Sequence, residues 1–141
     1  MFNADCFLGF QHIFKAPVVA FRTGSLSTWA VDRTGNPDNP SYIPSTLSGF
    51  KSHMSFLDRL YNLLEGISYK IAYKIYSIEC TEIARKHFGE DMPDLEDLAR
   101  NTSLYLVNTH FVHQLAKPIV PNVKEVAGLH VKEVKPLPEV T

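Results

Sequence analysis

The sequence predicts an α/β fold in which short parallel strands are flanked by helices. Two apolar runs near the end of the chain, at residues 104–108 and 123–126, have strand-type composition, and the connection between them contains two prolines. Sequence with helical periodicity precedes them, and a helix followed by a strand, at residues 5–21, opens the chain. Helices that alternate with buried strands are typical of parallel sheets, whose strands are joined by crossover connections.

Length, composition and charge exclude several classes of protein. The chain has 141 residues, enough for one domain, and with 45% apolar and 21% charged residues it is not of a disordered type. A net charge of −1 gives no support for nucleic-acid binding, which needs a clustered basic face. Two cysteines, Cys6 and Cys80, are too few for a disulfide framework or a zinc cluster, and we expect two buried thiols.

The first elements are a short helix and a strand. Residues 5–14 have apolar side chains at helical spacing, with Asn3 or Asp5 as the N-cap. Residues 16–21 begin with Ala-Pro and contain β-branched residues, which predicts a short strand buried on both faces. Residues 22–27 then form a loop of small residues at the carboxyl end of that strand, where open α/β sheets bind ligands.

Residues 35–44 predict an ordered surface loop. The segment contains Pro37, Pro40 and Pro44, so it cannot form regular structure. Loops of this length in a compact domain are often functional or close over a site.

A long amphipathic helix is predicted from Ser55, which can form a capping box with Asp58, and it continues to Phe88 before Gly89. Apolar residues recur along it at steps of three and four, namely Phe56, Leu60, Leu63, Leu64, Ile67, Ile71, Ile75 and Ile78.

A second stripe on this helix contains tyrosines and lysines: Tyr61, Tyr69, Tyr73, Tyr76, Lys70 and Lys74. Two interpretations stay open. The stripe can contact a membrane surface, or it can be a solvated face whose aromatic edges pack on the domain.

A short helix at residues 93–100, with acids in its first turn, precedes the strand at 104–108. Asn101, at the end of this helix, begins the sequon Asn-Thr-Ser. It is either an acceptor for N-glycosylation, if the protein enters a secretory lumen, or a residue that caps the helix.

Few residues have the spacing of a catalytic or metal site. His110 and His113 are three residues apart, but no acid or cysteine lies close by, so no metal site is predicted. Ser25 and Ser27 lack the glycines of a nucleophile elbow, and the chain contains no Gly-rich phosphate loop. Three strands are too few for a stable two-faced sheet, so we interpret the chain as a fragment of a domain that handles small molecules.

Seven segments, in register over nearly the whole chain, resemble the UDP-glycosyltransferase family, which includes the UDP-glucuronosyltransferases, and most of all its insect members. They are FNADCFLG (2–9), KAPVVA (15–20), GNPDNPSYIP (35–44), MSFLDRLYN (54–62), GEDMP (89–93), LARN (98–101) and KPLP (135–138).

The resemblance implies the second part of the N-terminal, Rossmann-like half of a GT-B enzyme. Residues 1–134 would be part of the acceptor-binding domain, and residues 135–141 would begin the linker to an absent UDP-sugar-binding domain. Such an enzyme transfers glucose or glucuronic acid from a UDP-sugar to a lipophilic acceptor in one inverting displacement; the UDP-sugar is a co-substrate, and no cofactor is expected. The resemblance also implies a membrane-anchored protein of the endoplasmic reticulum lumen, and we expect a homo-oligomer of the full-length parent.

Few of the family's functional residues fall within this chain. The base His would lie upstream of residue 1, and counting back from Pro17 places its orienting acid at Met1 or just before. Asp5, the nearest carboxylate, is therefore either that acid or a helix cap. Thr23 and Ser25 follow the first strand, where related enzymes contact the donor sugar. We expect the chain alone to be inactive; the alternative is a non-catalytic module that binds a hydrophobic ligand.

Overall fold

The computed structural model describes residues 5–51, 53–110, 112, 117–128 and 131–132. In chain order, its elements are a 3-10 turn at Asp5–Leu8, α1 (Gly9–Phe14), β1 (Val19–Arg22), a second 3-10 turn at Thr28–Ala30, α2 (Val31–Thr34), α3 (Phe56–Phe88), α4 (Leu95–Arg100), β2 (Leu104–Val107) and β3 (Val123–Glu125).

The three strands form one sheet in the order β1-β2-β3, and both pairings are parallel. Val19 is in register with Leu104, and Tyr105 with Val123. The predicted α/β class and the parallel arrangement are therefore confirmed. β1 begins at Val19 rather than at residue 16, because Pro17 has no amide hydrogen to donate to a ladder.

The prediction that the first strand is buried on both faces is wrong. Val19 is 57% exposed and Phe21 is 45% exposed. β1 lies at one edge of the described sheet, so no described strand pairs with its free side, and its exposed side chains line an open pocket.

Two apolar clusters form the core. One lies between the sheet and the segment before α2 and contains Leu26, Val31, Val107 and Val123. The other joins α3 to α4 and contains Cys80, Ala84, Met92, Leu95 and Leu98. One cluster therefore packs α2 against the sheet, and the other packs α4 against α3.

The long helix is confirmed as one element of 33 residues with the predicted capping box. The Asp58 amide donates to Ser55 Oγ over 3.3 Å, and the Ser55 amide donates to Asp58 Oδ2 over 3.0 Å. The helix ends before Gly89, whose φ of 110° is a conformation that glycine adopts without strain.

The orientation of α3 is the reverse of an ordinary surface helix. Its apolar stripe faces outward, while its buried positions are small or polar: Asn62, Ser77, Cys80, Thr81 and Ala84. Tyr69 and Tyr73 pack against Trp29, and Lys70 forms ion pairs with Asp32 and Asp38. Of the two interpretations of the tyrosine and lysine stripe, the structure supports packing on the domain; Tyr61 and Lys74 are exposed.

The loop at 35–44 is irregular, as predicted, and is fixed to α3 by the side chain of Asn62. Asn62 Oδ1 accepts the Ser45 amide over 2.7 Å, and Nδ2 donates to the carbonyls of Pro40 and Ile43 over 2.8 and 2.9 Å. The short helix α2 and the 3-10 turn before it were not predicted. Asn3 and the linker at 135–141 lie outside the described residues.

Candidate functional site

An apolar pocket of about 540 Å³ lies beside the exposed face of β1. This volume is in the range of sites for small molecules. The wall extends along β1 as far as Arg22, and its aromatic lining is Phe7, Phe10, Phe14, Phe21, Trp29, Tyr73 and Tyr105. The pocket thus reaches the carboxyl end of the strand and the loop at residues 22–27, of which Leu26 lines it.

One corner of the pocket is polar, and Arg33 is its centre. The side chain of Arg33 is 6% exposed, and Nη1 lies 2.6 Å from Asp5 Oδ2. Nε and Nη2 both donate to Glu96 Oε2, over 2.8 and 2.6 Å. The Tyr73 hydroxyl donates to the same Asp5 oxygen, and the guanidinium lies 4.9 Å from the centre of the Tyr73 ring.

These contacts determine the protonation states of Arg33 and Tyr73. Burial alone would lower the pKa of Arg33, but Asp5 and Glu96 outweigh it and raise that pKa above its ordinary value. Burial, together with the hydrogen bond to Asp5, raises the pKa of Tyr73. Arg33 is therefore a permanent cation, and Tyr73 is a neutral hydrogen-bond donor at ordinary pH.

The raised pKa of Tyr73 predicts a loss of stability in alkali. Because the folded-state pKa exceeds the unfolded value of about 10, the contribution is fully present below about pH 10 and is lost as the pH rises toward the folded-state pKa. We expect the free energy of unfolding, measured in urea between about pH 9 and about pH 11, to fall less steeply in Tyr73→Phe than in the wild type.

The control for this measurement is Tyr61→Phe, which removes an exposed phenol from the same helix. Equal slopes for Tyr73→Phe and the wild type would contradict the assignment.

Asp5 lies on the wall of this pocket, at the start of the first 3-10 turn. Its Oδ2 atom already binds Arg33 and Tyr73. The structure therefore shows a third role, in which Asp5 bridges the first turn to α2 and α3. A role as the orienting acid of a base stays a prediction.

A second group of polar side chains lies at the carboxyl edge of the sheet. Asn108 Nδ2 donates to the carbonyl of Thr23 over 3.3 Å, and Thr109 Oγ1 donates to Glu125 Oε1 over 3.2 Å. Thr23 is exposed and Ser25 half-buried, and neither lines the apolar pocket. Their predicted contact with a donor sugar stays a prediction.

The candidate residues predicted from the sequence did not include Asn108, Thr109 or Glu125. One signal in the sequence could have indicated Asn108 and Thr109, namely the change from apolar to polar residues directly after residues 104–107. In a parallel sheet the carboxyl ends of the strands lie at one edge, where ligands bind.

The loop at 35–44 reaches this edge. Asn36 Oδ1 accepts the Val120 amide over 2.9 Å. Lys117 lines a small cavity there with Asn36 and Glu125, and burial lowers the pKa of Lys117 although Glu125 and Asp38 attract its charge. The edge therefore combines hydroxyl, amide and charged groups, which can hydrogen-bond a polar ligand.

The remaining candidates are two histidines and Asn101. His110 is exposed and its Nδ1 accepts the Val112 amide over 3.3 Å, while His113 is outside the described residues. No group of residues able to hold a metal ion occurs in the described part of the chain. Asn101 is exposed at the end of α4, with the Thr102 side chain buried beside it. Its glycosylation stays a prediction.

The cysteines, 74 residues apart in the sequence, are brought together. Cys80 is buried and Cys6 half-buried, so the expectation of two buried thiols is met only by Cys80. Burial, and then the contact with Cys80, raises the pKa of Cys6. None of the helices described is long and apolar enough to cross a membrane.

Comparison with known proteins identifies the family. A model of the family described as "UDP-glucoronosyl and UDP-glucosyl transferase" matches residues 5–141. The chain is 40% identical, over 98% of its length, to UDP-glucosyltransferase 2 of Dactylopius coccus, of which it covers 27%. It is 34% identical, over 98% of its length, to UDP-glycosyltransferase UGT5 of the same species, of which it again covers 27%.

A human relative, UDP-glucuronosyltransferase 1A9, is 29% identical over 95% of the chain, which covers 25% of that protein. The chain thus spans about a quarter of the length of these relatives. No solved structure matches the chain. The parallel sheet with flanking helices agrees with part of the Rossmann-like N-terminal domain of a GT-B enzyme, and the match over residues 5–141 shows that this chain belongs to the UDP-glycosyltransferase family.

Proposed function

We propose that this chain is the acceptor-binding part of an enzyme that transfers glucose or glucuronic acid from a UDP-sugar to lipophilic, hydroxylated small molecules. The observation that carries the proposal is the family match over residues 5–141, together with an apolar pocket of about 540 Å³ that ends at the carboxyl edge of the sheet. Relatives named for glucosyl transfer and for glucuronosyl transfer both match, so the proposal includes both sugars.

The geometry supports separate binding regions for the two substrates, the apolar pocket for the acceptor and the polar carboxyl edge of the sheet for the donor. Aromatic walls suit an apolar acceptor, and the hydroxyls of Thr23 and Ser25 lie just beyond Arg22, where the pocket ends. In the reaction, a base takes the proton of the acceptor hydroxyl, the oxygen attacks the anomeric carbon, and UDP leaves from the opposite face. Because the attack is in line, acceptor and donor sites must adjoin. The proposal therefore puts the donor sugar near Thr23 and Ser25, which follow the pocket-lining Arg22 in the chain.

The proposed setting is the lumen of the endoplasmic reticulum, with the parent protein anchored in the membrane. The exposure of Asn101 supports this proposal, because an acceptor asparagine must be reachable by the glycosylation machinery.

We expect the chain alone to catalyse no transfer. No histidine lines the pocket in the described part of the chain, and Asp5 Oδ2 is already bound by Arg33 and Tyr73. Incubation of the purified chain with UDP-glucose and a panel of phenols should give no glycoside above the buffer rate, as measured by mass spectrometry. Turnover that disappears in His110→Ala would contradict the assignment of the site.

The alternative function, a module that binds a hydrophobic ligand without catalysis, is favoured by the fact that the pocket is formed within the chain itself. Assays of a longer protein that contains this chain distinguish the enzyme from the binding module. In the enzyme, Thr23→Val should raise KM for the UDP-sugar several-fold and leave KM for the acceptor unchanged. The control is Ser68→Ala, which removes an exposed hydroxyl from α3. Binding of phenols with no turnover of any UDP-sugar would favour the module.

A further inference from the structure

The two cysteines of the chain form a pair in the structure. Cys6 lies in the first 3-10 turn and Cys80 in α3, and Cys6 packs against the apolar cluster to which Cys80 belongs. The two thiols are in hydrogen-bond contact. Because 74 residues separate them in the sequence, the fold and not local geometry brings them together.

The two thiols differ in their access to solvent. Cys80 is 4% exposed, whereas Cys6 is half-buried. A small reagent in solution therefore reaches Cys6 and not Cys80. This asymmetry is typical of a reactive dithiol, in which one cysteine reacts with an external molecule and its neighbour resolves the product. A buried cysteine that has no such neighbour is inert packing.

Tyr76 holds the second thiol in place. It packs on the same apolar cluster, and its hydroxyl forms a hydrogen bond with Cys80. That bond raises the pKa of Tyr76 to about 12, so the phenol keeps its proton at ordinary pH. The Cys80 sulfur is thus fixed between the Tyr76 hydroxyl and the Cys6 thiol.

We propose that Cys6 and Cys80 are an oxidation site, at which a small disulfide such as oxidised glutathione converts the two thiols into a disulfide within one chain. The sulfur atoms are already in contact, and Cys6 belongs to a turn of four residues. Rotation of the two side chains, with a small shift of that turn, brings the sulfur atoms to the bond length of about 2 Å.

The reaction is a pair of thiol–disulfide exchanges. The Cys6 thiolate attacks one sulfur of oxidised glutathione, and one glutathione thiolate leaves. The Cys80 thiolate then attacks Cys6 Sγ, and the second glutathione thiolate leaves. The two thiol protons of the chain end on the two glutathione molecules, so the chain loses two electrons and the glutathione disulfide gains them.

The site does not depend on sugar transfer, because neither cysteine lines the apolar pocket. Its oxidation does require an oxidising compartment, since a cytosol keeps thiols reduced. The lumenal setting proposed above supplies the small disulfides that the reaction consumes.

The bond ties part of the pocket wall to α3. The first turn places Asp5, Phe7 and Leu8 on that wall. In the reduced chain, the polar contacts of Asp5 with Arg33 and Tyr73 hold the turn. The disulfide adds a covalent connection across 74 residues of sequence, and connections that close long loops restrict the unfolded chain most.

Alkylation with mass spectrometry tests the oxidation. The purified chain is equilibrated with reduced and oxidised glutathione at the poise of the endoplasmic reticulum, then denatured and treated with N-ethylmaleimide. We expect two alkyl groups on the reduced chain and none on the equilibrated chain, whose digest should contain one peptide pair joined through Cys6 and Cys80. Cys80→Ser should keep one glutathione on Cys6, whereas Cys6→Ser should keep Cys80 as a free thiol.

Urea unfolding and hydrogen exchange test what the bond does. Oxidation should raise the urea midpoint by about 1–2 M. It should also slow exchange of the amides in the first turn, residues 5–8, and leave those of β2 unchanged. Cys80→Ser, measured with and without oxidised glutathione, is the control and should show no rise in the midpoint.

Several results would overturn the proposal: two free thiols at equilibrium in the glutathione buffer, a disulfide that joins two chains, or a bond that forms only in denaturant. Equal midpoints, or equal exchange of the first turn, in the oxidised and reduced chains would overturn it as well.

Discussion

Replacing Arg33 by methionine is expected to destabilise the chain by about 2–4 kcal/mol, because it leaves two partly buried acids without their cation. Arg33 donates to Asp5 and to Glu96, which belong to two separate elements. The side chains of Asp5 and Glu96 are 17% and 36% exposed, so water can replace only part of the lost bonds. Urea unfolding at pH 7 measures the change, and a folded-state spectrum at zero denaturant confirms that the variant still folds.

The matched control is Arg85→Met. Arg85 also pairs with an acid, Asp94, over 2.8 Å, but both side chains are substantially exposed. Pairs of that kind contribute about 0–1 kcal/mol. Arg85 Nε also donates to the Met92 carbonyl over 3.0 Å, a bond that contributes about 1 kcal/mol. Arg33→Lys should fall between the two, because lysine keeps the charge and loses the fork that binds Asp5 and Glu96 together. A cost for Arg33→Met no larger than that for Arg85→Met would show that the cluster does not stabilise the fold.

Replacing Asn62 by alanine is expected to cost about 2–4 kcal/mol and to release the loop at 35–44 from α3. The buried amide of Asn62 makes three hydrogen bonds to the backbone of Pro40, Ile43 and Ser45. Alanine can make none of them. Hydrogen exchange of the loop amides should accelerate more than that of the sheet, which separates local release from global unfolding.

Asn39→Ala is the control for this loop. Asn39 lies in the same segment, and its exposed side chain bonds only to Ser41 among the contacts described. Its replacement should change the unfolding free energy by less than about 1 kcal/mol. If both variants had the same exchange pattern, the loop would be held by its prolines rather than by Asn62.

The local elements follow from the sequence. Ser55 and Asp58 give a capping box because their spacing alone places each side chain against the other's amide. Residues 104–107 form a strand because aromatic and β-branched residues fit a pleated surface, and Val123 and Val126 indicate the strand that follows. Prolines at 37, 40 and 44 exclude regular structure from the loop. Each of these rules acts over a few residues, so no long-range contact is needed to apply it.

The family is also recognisable from the sequence, because seven segments in register resemble it.

The candidate site is less predictable from the sequence. Asp5 was a candidate only as the carboxylate nearest to the position reached by counting back from Pro17, yet its partners Arg33 and Tyr73 are 28 and 68 residues away. Asn108 and Thr109 become candidates only when β2 is known to end beside β1.

The sequence by itself determined the class of fold, the limits of the long helix and the family. Only the tertiary structure decided which way that helix faces and what surrounds Arg33. The reason is physical. Periodicity shows that α3 has one apolar side, but the buried side is the one with Asn62, Cys80 and Thr81. Asn62 and Thr81 accept backbone amides there, and Cys80 packs in an apolar cluster beside Cys6. Which face is buried depends on the surfaces brought against it, and those surfaces come from distant parts of the chain.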